Sequence, residues 1–156
     1  MYRVANMVRI ASSLLFIIVL LLIYANLPDR VGITDSSINT PGLFLPKSDF
    51  FYYCLIIFLA TNAIAFVFGK VFQSIAIRPE TFFFSSEIFK DRFTTWWGVF
   101  PAVMNLIFMF SLGFIAVFNN HDMDMIRSYS YLPFLGQFLV AGWIIALIVV
   151  LLKRDR

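Results

Sequence analysis

The hydrophobic residues of this chain are collected in four long runs that contain no charged residue, and polar segments separate the runs. The longest run covers residues 96–118, which exceeds the ~20 residues that an α-helix needs to cross the hydrocarbon core of a bilayer. The runs at 10–27, 50–69 and 130–152 have the same character. The pattern predicts an all-α integral membrane protein, a single domain in which four transmembrane helices form a bundle.

The first connection, residues 28–49, has the composition of a loop with turns. It contains three prolines and two glycines, residues that end helices and favour turns. Weak alternation of apolar and polar positions between 31 and 45 predicts a short extended piece. Ser48 or Asp49 is the expected N-cap of the second helix, because a side-chain oxygen there accepts from a free backbone N–H.

The second connection, residues 70–95, predicts a helix that starts before the third run. Pro79 interrupts any helix that continues from the second run, and Ser85 or Ser86 is the expected cap of the new helix. Two interpretations stay open: a short interfacial helix that runs into the third span, or the third helix itself continued past the membrane edge. The third connection, residues 119–129, is short and acidic.

The positions of Lys and Arg predict the orientation of the chain. Nine of them lie in the two termini and in 70–95, and three lie in 28–49 and 119–129. Cytoplasmic segments carry the excess of Lys and Arg, so we expect both termini of this multi-pass membrane protein in the cytoplasm. The basic residues form no continuous stripe, which argues against nucleic-acid binding.

Composition excludes several classes of function. Only 13% of the residues are charged, against about 25% in soluble proteins, so lipid is expected to cover much of the apolar surface. No Asp, Glu, Lys, Arg or His lies in the four runs, and such residues mark proton and ion pathways. A single histidine cannot supply both axial ligands of an intramembrane haem. We find no catalytic motif and expect neither enzymatic activity nor a cofactor.

The third connection contains the residues that come nearest to a metal site. Imidazole and carboxylate groups are metal ligands, and His121, Asp122 and Asp124 lie close together in the sequence. Their spacing matches no established site, so a solvated acidic turn is the favoured interpretation. Cys54 lies inside an apolar run, and we expect it to serve in packing.

Three amide side chains are the strongest polar groups inside the runs: Asn62, Asn105 and Gln137. An unpaired amide in hydrocarbon is costly, so each is expected to face a partner. A polar ligand cavity is one interpretation, and hydrogen bonds between helices, or to a partner subunit, are the favoured one. Two pairs with small-xxx-small spacing predict close helix contacts, namely Ala65 with Gly69 and Gly142 with Ala146.

The first apolar run is followed directly by the motif Leu27-Pro28-Asp29-Arg30-Val31. On this motif the chain resembles a bacterial membrane-protein family of unknown function, related to the N-terminal part of SdpI-like immunity and signalling proteins, in which LPD-[KR]-[IV] follows the first span. The resemblance implies a membrane fold of four or more helices without known catalysis, located in the inner membrane of a bacterium. The similarity continues at Ser48-Asp49-Phe50-Phe51-Tyr52, Asn62, Trp97-Gly98, Asn105 and Phe118-Asn119, and it departs at Gly32-Ile33-Thr34, where the family has Pro-Thr-His.

These observations lead to three functional hypotheses. The first is a non-catalytic membrane protein that acts through contacts, as an accessory or scaffold subunit of a larger complex or by self-association. The second is an immunity or envelope-sensing protein of the SdpI-like kind, whose outer connections meet a ligand. The third is a small permease, which the absence of charge within the spans disfavours.

Overall fold

The computed structural model describes residues 2–33, 42–77, 84, 86–120, 128–129 and 131–154. Each of its four long helices contains a segment long and apolar enough to cross a membrane, which confirms the predicted all-α class with four candidate spans. A two-stranded hairpin lies between the first two helices. The elements in chain order are α1 Tyr2–Asn26, β1 Arg30–Gly32, β2 Phe44–Pro46, α2 Lys47–Ser74, α3 Glu87–Asn119 and α4 Leu132–Leu152.

The third helix is the centre of the fold. α3 packs against α1, α2 and α4, whereas α4 packs against α3 alone among the described residues. The buried residues of α3 recur every three or four positions, as at Ala102, Asn105, Met109 and Leu112, and this spacing places them on one side of a helix. The other three helices are therefore arranged around α3, and the four helices do not form a closed ring.

Aromatic rings join α1 to α2 beside this buried side of α3. Phe16 is 1% exposed, and its ring stacks on Phe58 with the ring centres 4.5 Å apart. Leu20 and Leu112 belong to the same buried cluster. The core thus lies on the α1, α2 and α3 side of the molecule, and α4 contributes none of its buried hydrophobic residues.

The second helix begins earlier than the sequence predicts. Pro46 is its N-cap and has no side-chain hydrogen bond, so the prediction of Ser48 or Asp49 as the cap is wrong. The Ser48 hydroxyl instead donates to the neighbouring carboxylate, with 3.2 Å between Ser48 Oγ and Asp49 Oδ1. The reason is that β2 leads straight into α2, and the Lys47 N–H donates to the carbonyl of Asp29 in the hairpin.

The third helix is continuous from Glu87 to Asn119. Ser86, one of the two predicted caps, is its N-cap. The Ser86 hydroxyl oxygen accepts a hydrogen bond from the Phe89 N–H at 3.2 Å. At about 1.5 Å per residue its 33 residues extend for about 50 Å, well beyond a hydrocarbon core of about 30 Å. Residues 87–95, before the third run, are therefore a continuation of that helix, and the described part of the second connection contains no separate interfacial helix.

The short extended piece predicted in the first connection is an antiparallel hairpin. Arg30 pairs with Pro46, and Gly32 pairs with Phe44. Val31 is fully buried and belongs to the same cluster as Phe16. The hairpin therefore folds back onto the ends of the helices and closes the core at that end.

A pair of tryptophans fastens α4 to α3. The rings of Trp96 and Trp143 stack at 4.2 Å between centres. The Trp96 indole N–H donates to the Trp143 carbonyl at 2.9 Å, and the Trp143 indole N–H donates to the Trp96 carbonyl at 3.3 Å. Buried indole N–H groups need such partners, so the two helices satisfy each other's tryptophan across their interface.

Candidate functional site

The amide of Asn105 joins three helices in the interior of the molecule. Asn105 is 0% exposed at the middle of α3. Its Nδ2 donates to the hydroxyl oxygens of Ser12 at 3.2 Å and Ser13 at 3.1 Å, both on α1. Its Oδ1 accepts from Asn62 Nδ2 on α2 at 3.1 Å. The structure thus brings together two of the three amides that the sequence singles out.

The other groups of this cluster bond within their own helices. Asn62 Nδ2 also donates to the Phe58 carbonyl at 2.9 Å, and the Ser12 hydroxyl donates to the Arg9 carbonyl at 2.9 Å. Both amide hydrogens of Asn105 are engaged by the serines, so this side chain has no donor left for a ligand. The arrangement favours hydrogen bonding between helices over a polar ligand cavity at Asn62 and Asn105.

The small residues of α2 make room for an indole ring. The Trp97 N–H donates to the carbonyl of Ala65 at 2.9 Å. A Cβ atom added at Gly69 would lie 3.6 Å from Trp97 Cδ1. The pair Ala65 and Gly69 therefore meets α3, as its spacing predicts, through a tryptophan side chain.

The corresponding residues of α4 are placed differently. Gln137, Gly142 and Ala146 are exposed, and a Cβ atom added at Gly142 would meet nothing within 4 Å. Gly142 and Ala146 border a groove between α3 and α4. The close approach of α4 to α3 occurs instead at Gly136, where an added Cβ atom would lie 3.3 Å from Ile107. Gln137, Gly142 and Ala146 therefore make no tight helix contact within the described chain. A contact of these residues with another chain stays a prediction.

Asn119 holds the hairpin onto the end of α3. Its Oδ1 accepts from the Gly32 N–H at 2.6 Å, and its Nδ2 donates to the Gly32 carbonyl at 2.9 Å. The amide thereby pairs with both backbone groups of one residue, as a neighbouring strand would. Gly32 suits this approach, because an added Cβ would lie 3.3 Å from Phe44 and 3.4 Å from Phe118.

A cleft of about 360 Å³ opens beside this clamp, between the ends of α1 and α3. Pro28 of the Leu27 to Arg30 motif lines it together with Asn26 and Asn120. Leu27 is buried, whereas Asp29 and Arg30 are exposed. The motif therefore combines an apolar anchor with two charged side chains that face outward beside a cleft lined by amides. Asn119 stands in the sequence at the end of an apolar run and within the Phe118-Asn119 similarity, but its role in shaping this region was not predicted.

His121, Asp122 and Asp124 lie outside the described residues, so the structure adds nothing to the prediction made for them. Cys54 packs against the buried cluster around Phe16, in line with a role in packing. Comparison of the chain with protein-family models, with characterised proteins and with solved structures found no match.

Proposed function

We propose that this chain is a non-catalytic multi-pass membrane protein that works by binding another transmembrane helix, as an accessory or scaffold subunit or by self-association. The proposal is supported by the exposed state of the Gln137 side chain, which is unpaired within the described residues. Its side chain is exposed on α4 and makes no hydrogen bond to the described part of the chain. In hydrocarbon such a group costs about 1–3 kcal/mol by the protein scale, and an amide from a second helix removes that cost.

The surroundings of Gln137 suit a helix contact. Successive residues of an α-helix are rotated by about 100°, which places Gln137 about 120° from Trp143, the residue that faces α3. Ala141, Ile144 and Ile148 lie within about 40° of Gln137, and all three are exposed. The outward face of α4 thus carries one amide in an apolar stripe, and α4 is the helix with a single neighbour among the described residues.

The test is purification of the tagged native protein in mild detergent, followed by mass spectrometry of the proteins that elute with it and by measurement of its own oligomeric state. We expect a stoichiometric partner or a defined oligomer, and we expect Gln137→Leu to lose it. Gln73→Leu, the same change at an exposed site on α2, is the matched control and retains it. A lone monomer in the wild type contradicts the proposal.

A second candidate function is recognition of an envelope ligand at the hairpin end, in the manner of SdpI-like immunity proteins. The cleft beside Asn119 and the exposed Asp29 and Arg30 support it. Asp29→Asn combined with Arg30→Gln is expected to abolish protection or sensing without lowering the level of folded protein. If cells that carry the double variant behave like the wild type, this candidate fails.

The same proposal places both termini in the cytoplasm of a bacterial cell and the hairpin outside the inner membrane. The asymmetry of Lys and Arg supports this orientation. Ser48 and Ser74 are exposed near opposite ends of α2, so single cysteines there, in a chain with Cys54→Ala, report the orientation. A membrane-impermeant thiol reagent added to intact cells should label Ser48→Cys and spare Ser74→Cys, and the reverse pattern refutes the orientation.

A further inference from the structure

A groove of about 520 Å³ runs between α3 and α4 on the outer surface of the helix bundle. Its walls are apolar side chains and the faces of Trp96 and Trp143, with Arg92 and Thr95 as the two polar residues. Volumes of this size are typical of sites that hold a small molecule. Among the described residues, α4 touches only α3, so no other helix covers the groove.

The length of the groove matches one leaflet of a bilayer. On α3 it extends from Arg92 to Val103, which corresponds to about 16 Å of helix rise. On α4 it extends from Phe138 to Val150, about 18 Å. Half of a hydrocarbon core is about 15 Å, so the apolar walls are as long as the acyl chain of a single lipid.

The two polar residues lie together at the basic end of the groove. Arg92 Nη1 donates to the Lys153 carbonyl at 2.8 Å, which engages one of the five N–H donors of the guanidinium group. The remaining donors have the planar arrangement that binds a phosphate through two hydrogen bonds. Four basic residues at this end, Lys90, Arg92, Lys153 and Arg154, outnumber the two carboxylates of Glu87 and Asp91 on α3, so the net charge there favours an anion.

Thr95 provides a second polar group one turn deeper. It lies three positions after Arg92, a spacing that brings side chains to the same side of a helix. Its hydroxyl oxygen is buried without a hydrogen-bond partner in the described chain, although most buried hydroxyl groups have one. Rotation of the Thr95 side chain toward the groove would let the hydroxyl donate to an ester or phosphate oxygen beneath the Arg92 guanidinium group.

We propose that the groove between α3 and α4 binds an anionic phospholipid, with the phosphate at Arg92 and Thr95 and one acyl chain along the groove as far as Val103. Gly142 makes the space for that chain, since a Cβ atom added there meets nothing within 4 Å. The exposed small residues of α4 then serve a lipid, and the face that carries Gln137 remains for a protein partner.

Intrinsic fluorescence tests the proposal, because Trp96 and Trp143 line the groove and the chain has three tryptophans in all. Bromine atoms on an acyl chain quench an indole that they touch. The purified protein is placed in phosphatidylcholine vesicles with increasing fractions of brominated phosphatidylglycerol or of brominated phosphatidylcholine. We expect half-maximal quenching at an about fivefold lower fraction of the anionic lipid, the effect of one Arg near a charged headgroup.

Three variants identify the site. Arg92→Gln is expected to make the two brominated lipids equally effective, whereas Lys70→Gln, at the basic end of α2 and away from the groove, keeps the preference. Gly142→Leu fills the groove and is expected to weaken quenching by both lipids. Equal quenching by both lipids in the wild type, or a preference that persists in Arg92→Gln, overturns the proposal. Weak quenching by both lipids in the wild type overturns it as well, since lipid acyl chains then do not reach the groove.

Discussion

Replacement of Asn105 by Ala tests whether one amide holds three helices together. The side chain makes three hydrogen bonds to other helices. Such bonds in membrane proteins average about 0.6 kcal/mol each, so their loss costs about 2 kcal/mol. Asn105 is 0% exposed, and the cavity left by truncation adds about 1 kcal/mol. We therefore expect Asn105→Ala to lower the free energy of unfolding by about 3 kcal/mol.

The assay is reversible unfolding in mixed micelles, followed by tryptophan emission and circular dichroism. Asn62→Ala removes one of the three bonds between helices and should cost less than Asn105→Ala. The double variant should show a coupling of about 0.6 kcal/mol, and at most about 1.7 kcal/mol, because the two amides bond to each other.

Ser111→Ala is the control for this series. Its hydroxyl is exposed and bonds to the Ile107 carbonyl of its own helix at 3.0 Å, so a cost below about 0.5 kcal/mol is expected. If Asn105→Ala costs no more than Ser111→Ala, or if the coupling between Asn62 and Asn105 is zero, the amide cluster does not hold the helices together and the argument fails.

Three further predictions concern the other contacts between elements. Asn119→Ala removes both hydrogen bonds to Gly32, and amide exchange at that residue should rise at least tenfold while exchange in the middle of α3 stays constant. Gly136→Leu should destabilise the protein by more than about 2 kcal/mol, because an added Cβ already lies 3.3 Å from α3; Gly142→Leu should change stability by less than about 0.5 kcal/mol. Trp143→Phe keeps a ring but removes one indole hydrogen bond, and a loss of about 1 kcal/mol in unfolding free energy is expected; an unchanged value contradicts the role of the tryptophan pair.

The existence of the four helices was predictable from the sequence, because an uncharged run of about 20 residues has few alternatives to a membrane helix. The choice of Asn62 and Asn105 was predictable for the same reason, since amides inside such runs need partners. Their actual partners were not. Ser12 and Ser13 are able to bond to their own helix, and nothing in their sequence context points to Asn105.

The placement of α4 was not predictable, because the helix is apolar on every side. A helix with a polar stripe shows which face is buried, but Leu132–Leu152 offers only Gln137, and that residue lies on the outward face. The start of α2 was missed because a hairpin, rather than a side-chain cap, satisfies the first N–H of the helix. Asn119 was missed because an Asn after an apolar run is also typical of a turn.

The central position of α3 has a consequence for the way in which the protein assembles. α1 and α2 precede α3 in the chain, and apart from the stacked rings of Phe16 and Phe58 they touch each other little, because most of their helix contacts are with α3. The amide of Asn62 bonds to the Phe58 carbonyl of its own helix, but its bond to another helix requires Asn105, which is 43 residues further along the chain. Until the third helix has formed, α1 and α2 therefore lack both this bond and most of their packing surface, and an unfinished chain differs in conformation from a finished one.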